Sequence, residues 1–132
     1  MTTHAKEVEL LLAEAKQNGL AKDFQTAIES LNQAIALDPQ NARAYHPRGW
    51  ARAHLGDIEG ELADWSKAIE LDPTLDEAYA DRAVARTATR DYSNALIDGE
   101  KAIELNPDLE STIEPVVRGL VSGPDNRQTE RT

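Results

Sequence analysis

Cysteine is absent from the 132 residues. That excludes a disulfide framework, a thiolate zinc site and a cysteine nucleophile, and it fits a reducing compartment. Positive charge is scarce: 14 Lys and Arg stand against 24 Asp and Glu, for a formal net charge of -10. Such a balance repels a phosphate backbone instead of releasing its counterions, so neither nucleic acid nor an anionic membrane surface is an expected partner. Long apolar runs are missing too. Glu7, Glu9 and Glu14 break up the opening MTTHAKEVELLLAEAKQ, which therefore lacks the apolar centre of a signal peptide. No uncharged stretch approaches the roughly 18 residues of a membrane span. Nor does the chain hold a phosphate-cradling glycine loop, a nucleophile elbow or a recognisable metal-ligand spacing. No catalytic residue, cofactor or metal is assigned, and the expectation is one domain of a soluble, cytoplasmic protein.

What is present is a period. NQAIALDP, SKAIELDP and EKAIELNP end at Pro39, Pro73 and Pro107, a fixed spacing of 34 residues. The same period carries Asp23, Asp57 and Asp91, then Phe24, Ile58 and Tyr92, then Ala34, Ala68 and Ala102. A fixed period of this size marks stacked units, each too small to close a core alone. The expected division is a lead-in or helix start over 1–7, repeats over 8–41, 42–75 and 76–109, a capping helix over 110–122 and a disordered tail over 123–132.

Each repeat reads as two helices. Phe24, Ala27, Ile28, Leu31, Ala34, Ile35 and Leu37 follow the three-and-four spacing that gathers an apolar stripe on one face. Asp23, Asp57 and Asp91 stand where a carboxylate accepts from free helix-start amides. Each terminal proline disfavours helical backbone in the residue before it, and Leu55-Gly56 reads as a glycine stop. After the third repeat, Ile113, Val116, Val117, Leu120 and Val121 share a face, with Pro115 expected in the first turn behind a Ser111 or Thr112 cap.

The pattern resembles the tetratricopeptide repeat. A bulky aromatic and a small residue in the first helix, alanines in the second and a terminal proline appear as Tyr79, Ala83, Ala95, Ala102 and Pro107, and as Leu11, Ala15, Ala27, Ala34 and Pro39. The resemblance implies an all-α, right-handed superhelical solenoid of antiparallel helix pairs, about seven helices in all. In the proteins it resembles, first helices line a concave face that holds an extended peptide or a partner's helix. The groove residues so implied are Leu12, Lys16, Arg43, His46, Trp50, His54, Ala80 and Val84. One subclass of the family grips acidic chaperone tails through basic and amide side chains. The corresponding positions here hold Leu12, Lys16, Pro47, Glu77 and Asp81, and two acids there argue against that ligand. A basic or mixed segment with an apolar anchor fits better.

Departures from the period crowd into YHPRGWARAHLGDIEGELADW, residues 45–65. Arg48 and Asp64 recur as Arg82 and Asp98, whereas the first repeat has Glu14 and Ser30. The two types arrive and leave together, which reads as a partly exposed ion pair between the helices of a repeat, worth about 1 kcal/mol or less. Glu61 stands where Ala27 and Ala95 stand, and a carboxylate there needs a partner; Arg52 on the facing helix is the candidate. Trp65 aligns with Leu31 and Gly99 and reads as core. Trp50 aligns with Lys16 and Val84 and reads as groove, flanked by His46 and His54. Those histidines, eight residues apart, lie about 12 Å apart along a helix, too far to share an ion. Pro47 makes the helix start late, near Tyr45, or kink. Three functions compete: a non-enzymatic interaction module, a homo-oligomer joined through the groove or terminal helix, and a small-molecule or enzymatic site around Glu61, Trp50 and His46.

Overall fold

The computed structural model describes residues 3–121, and those residues form helices without a strand. In chain order they are α1 (Thr3–Leu20), α2 (Phe24–Leu37), α3 (Ala42–His54), α4 (Ile58–Leu71), α5 (Asp76–Ala88), α6 (Tyr92–Leu105) and α7 (Glu110–Val121), with a 3-10 turn at Pro107–Leu109 before α7. The fold is an all-α helical repeat of α1/α2, α3/α4 and α5/α6 hairpins. Its residues divide after Pro73 into two units, α1 to α4 and α5 to α7. The tail expected over 123–132 lies outside the described residues.

Helix ends follow local chemistry. The Asp23 carboxylate accepts from the Thr26 amide at 3.3 Å and Asp57 from the Gly60 amide at 2.9 Å, which satisfies helix-start donors. Asp91 differs, for it makes no such cap bond and instead accepts from the Asn94 side-chain amide at 3.0 and 3.2 Å. At the far ends, the amides of Asp38, Asp72 and Asn106 close on the carbonyls of Ala34, Ala68 and Ala102. The next residue is proline each time, and Asp38 takes the extended backbone this requires, φ -145°. The hairpin turns put Lys22, Gly56 and Arg90 in the left-handed region at φ 63°, 80° and 65°. Glycine takes that conformation freely, whereas lysine and arginine pay roughly 1–2 kcal/mol for it.

Both internal prolines sit deeper in their helices than the sequence suggests. The α3 helix begins at Ala42, not near Tyr45, because Asn41 caps it by accepting from the Arg43 amide at 3.0 Å. Pro47 is thus inside α3, where its missing amide removes the bond to the carbonyl four residues back. Pro115 is likewise inside α7 instead of its first turn, since the 3-10 turn runs directly into a helix that already starts at Glu110.

In the first unit, Val8, Leu11 and Ala15 of α1, Ala27, Leu31 and Ala34 of α2, and Ala44 of α3 form one buried cluster, with Leu12, Ile35 and Leu37 against it. In the second, Tyr79 and Ala83 of α5, Ala95 and Ala102 of α6, and Ile113 of α7 are buried. The α7 helix packs on α5 and α6, as a cap on the last apolar face must. Trp65 is buried at 4% exposure, and its indole N–H donates to the His46 carbonyl at 3.2 Å. It reaches that carbonyl across Gly49, where a Cβ would lie 2.6 Å from the indole nitrogen.

Gly49→Ala is therefore expected to destabilise the fold by about 1–3 kcal/mol through overpacking, even though alanine gains about 1 kcal/mol in helix propensity. Gly119, with nothing within 4 Å of its Cβ position, is the control, and Gly119→Ala should stabilise by up to about 1 kcal/mol. Urea midpoints that shift alike for both variants would refute the packing account.

Candidate functional site

Two buried carboxylates hold the first helix of a hairpin to the second. Asp64 on α4, 3% exposed, accepts from Arg48 Nε at 3.0 Å, from a terminal Arg48 nitrogen at 2.8 Å and from Arg52 at 2.8 Å, both arginines lying on α3. Asp98 on α6, 2% exposed, accepts from Arg82 at 2.8 and 2.7 Å and from Arg86 at 2.7 Å, both on α5. Arg48 also lies over the Tyr45 ring at 5.5 Å, and Arg82 over Tyr79 at 5.8 Å. A further Arg48 nitrogen donates to Asn32 on α2 at 2.9 Å, which ties the first hairpin to the second.

The reading of these pairs as partly exposed needs correction. The arginine ends keep some solvent, but each aspartate is sequestered, and each receives two arginines instead of one. Arg52, the expected partner of Glu61, bonds instead to Asp64 at 2.8 Å and, more loosely at 3.9 Å, to Asp57. Glu61 is buried at 7%, and among the described residues no buried side-chain nitrogen or oxygen lacks a hydrogen-bond partner. The second arginine was legible: Arg52 and Arg86 are 34 residues apart, and the first repeat, without the brace, has Asn18 there.

Of the groove residues implied by the resemblance, six lie in the first unit on α1 and α3. Trp50 is 42% exposed and His54 is exposed, while Leu12 and His46 are half-buried. Lys16 is exposed on α1. Arg43 spans from α3 to α1 and grips Glu9 with two bonds of 2.7 and 3.3 Å. That contact holds the Glu9 carboxyl below its ordinary range and raises Arg43. With both partners largely in solvent, the pair is a tether across the face more than a source of stability. Ala80 and Val84 lie on α5 in the second unit, the first buried and the second 51% exposed.

The structure adds a residue that the sequence reading placed in the scaffold. Phe24, the first residue of α2, stacks on the His54 ring at 4.4 Å with the planes 5° apart. Trp50 stands across both rings, 5.6 Å from Phe24 at 71° and 4.2 Å from His54 at 67°. On its other side lies α1, where a Cβ on Gly19 would come within 3.4 Å of the indole. Helices α1, α2 and α3 thus fix an exposed aromatic cluster. Its signal was the register: Phe24 opens α2 beside the turn, and Trp50 and His54 are one helical turn apart on α3. Glu61, by contrast, is on α4, and among the described residues no three His, Asp or Glu side chains gather as a metal site would require.

Comparison with known proteins gives a consistent picture. A family model described as "TPR repeat" matches residues 21–56. Tetratricopeptide repeat protein 36 of Mus musculus is 43% identical over 61 residues, covering 46% of this chain and 31% of the relative. The Homo sapiens protein of that name is 48% identical over 44 residues, 33% of this chain and 23% of the relative. The chain thus matches less than a third of the length of these curated relatives. Among solved structures, the TPR2B domain of yeast Sti1 in a complex with pHsp70 superposes with a TM-score of 0.82 at 26% identity, over 88% of this chain and 97% of that one. The Arabidopsis OM64 TPR domain gives 0.83 at 25% identity, over 89% and 96%. The Yersinia enterocolitica secretion chaperone SycD, solved with a peptide of YopD, gives 0.80 at 15% identity, over 85% and 90%, a likeness of fold.

Removing one carboxylate tests the brace. Asp98→Ala strands two arginines and is expected to cost about 3 kcal/mol or more, the range for breaking a buried pair. A thermal or urea loss under about 1 kcal/mol would return the pair to the surface class.

Proposed function

The chain belongs to the tetratricopeptide-repeat family, and from that premise we propose that it is a non-enzymatic protein-interaction module whose α1/α3 face takes a peptide or helix segment of another protein. The observation that carries this reading is Trp50. A large aromatic ring on a helix interior is normally driven inward by the hydrophobic effect, yet Trp50 keeps 42% of its surface in solvent while Phe24, His54 and Gly19 hold it in place. A rigid, half-exposed tryptophan on packed helices loses little entropy on binding, which is why such residues anchor interfaces.

The relatives support a peptide ligand without supplying its identity. The yeast Sti1 domain, 26% identical, was solved as a complex with pHsp70. Here the positions matching the acidic-tail grip carry Leu12, Pro47, Glu77 and Asp81 beside Lys16. Together with a net charge of -10, they favour a basic or mixed segment with an apolar anchor over an acidic tail. The tether between Glu9 and Arg43 occupies the arginine that would otherwise greet an acid.

Selection from a displayed random-peptide library tests the proposal. Enriched peptides are expected to carry an apolar or aromatic anchor with neutral or positive net charge. They should lose about tenfold or more in affinity for Trp50→Ala, the loss of a hot-spot side chain, while helical content stays unchanged. Enriched peptides that bind wild type and Trp50→Ala equally would place the contact elsewhere and overturn the assignment.

A further inference from the structure

We propose that the cluster of Phe24, Trp50 and His54 is a receptor for a guanidinium group, so that the partner segment presents an arginine side chain to the exposed indole. The inference rests on the module reading above and adds the chemistry of its anchor. Phe24 and His54 cover each other's faces, being parallel within 5° at 4.4 Å. Trp50 stands across them and remains 42% exposed. An exposed indole can take an apolar group or a cation, and of the aromatic side chains it attracts a cation best.

Three observations favour the cation. The chain is strongly acidic, at -10, and the exposed carboxylates of Asp23 and Asp57 adjoin the cluster in sequence, Asp23 just before Phe24 and Asp57 three residues past His54. This scaffold already makes guanidinium-on-ring contacts twice, Arg48 over Tyr45 at 5.5 Å and Arg82 over Tyr79 at 5.8 Å. Finally, the rings are not required by the fold, because the positions 34 residues onward hold Ile58, Val84 and Ala88. Against the proposal stand two exposed charges, Lys16 at the matching register of α1 and Lys22 two residues before Phe24. That repulsion acts on either cation, and arginine is favoured over lysine because a planar guanidinium stacks flat and sheds water more readily than a compact ammonium.

The test uses three blocked pentapeptides that differ at the central residue, arginine, its neutral isostere citrulline, or norleucine, set among alanines. Binding to the full chain is followed by the indole N–H resonance of Trp50, with buried Trp65 as internal reference. The arginine peptide is expected to bind in the millimolar range and about two- to five-fold more tightly than either neutral peptide, the ratio for an exposed cation on a ring. Lys16→Gln should tighten the arginine peptide alone. Trp50→Leu and His54→Ala, checked for unchanged helical content, should both weaken it. Citrulline or norleucine binding as tightly as arginine, no shift of the Trp50 resonance with any peptide, or an unaltered affinity in Trp50→Leu would each overturn the guanidinium receptor. The first of these outcomes leaves the module reading standing, whereas that reading falls only if library-selected peptides ignore Trp50.

Discussion

Everything else in each unit depends on how closely its paired helices approach. Ala34, Ala68 and Ala102 have no exposed surface, and the same holds for Ala44, Ala78, Ala83 and Ala95. Side chains this small at a helix contact permit close approach of the axes, whose usual separation is about 8–10 Å. They also bury little apolar area per residue, so the hydrophobic return of each hairpin is modest. That makes the remaining contacts between hairpin partners decisive, and it explains why two hairpins add a charged brace. A buried aspartate held by two arginines contributes less to net stability than to the penalty for any other arrangement, because a helix that slid by a turn would strand the charge.

The second hairpin shows the constraint under stress. Where its neighbours have Ala27 and Ala95 it has Glu61, buried at 7%, and glycines stand where other large side chains of this hairpin pass. Gly60 leaves room for the stem of Arg52, whose Cδ would lie 2.8 Å from a Cβ there. Gly49 does the same for Trp65. Oddities of residues 45–65 that looked separate in sequence thus meet in space, Gly60 with Arg52, Arg52 with Asp64 and Gly49 with Trp65.

What the sequence disclosed divides along the same line. The helical repeat and its hairpins were legible because period and apolar spacing are properties of the chain itself. The joint appearance of arginine and aspartate sixteen residues apart was legible too. How deeply Asp64 and Asp98 are buried was not, since burial depends on the long arginine stems that roof them. A late start for α3, given as the alternative to a kink, and a first-turn Pro115 in α7 were misjudged for a related reason: a proline signals that a helix pays a cost, and only Asn41 and the 3-10 turn show where the helix had already begun. Phe24 was missed because its register names a scaffold position, and nothing local tells a ring that faces inward from one that His54 holds at the surface.

That last point bears on where function sits. A repeat protein satisfies its scaffold by repetition, so a site must be written in residues that do not repeat. By this criterion the brace is scaffold, since it recurs with the same geometry in two hairpins. The aromatic cluster is not, since its three positions become Ile58, Val84 and Ala88 one period later. The scaffold does without a ring at the matching position one period later, where Val84 stands. Three helices instead converge to hold one indole half in water, an arrangement that costs hydrophobic free energy in the free protein and recovers it when a ligand covers the ring.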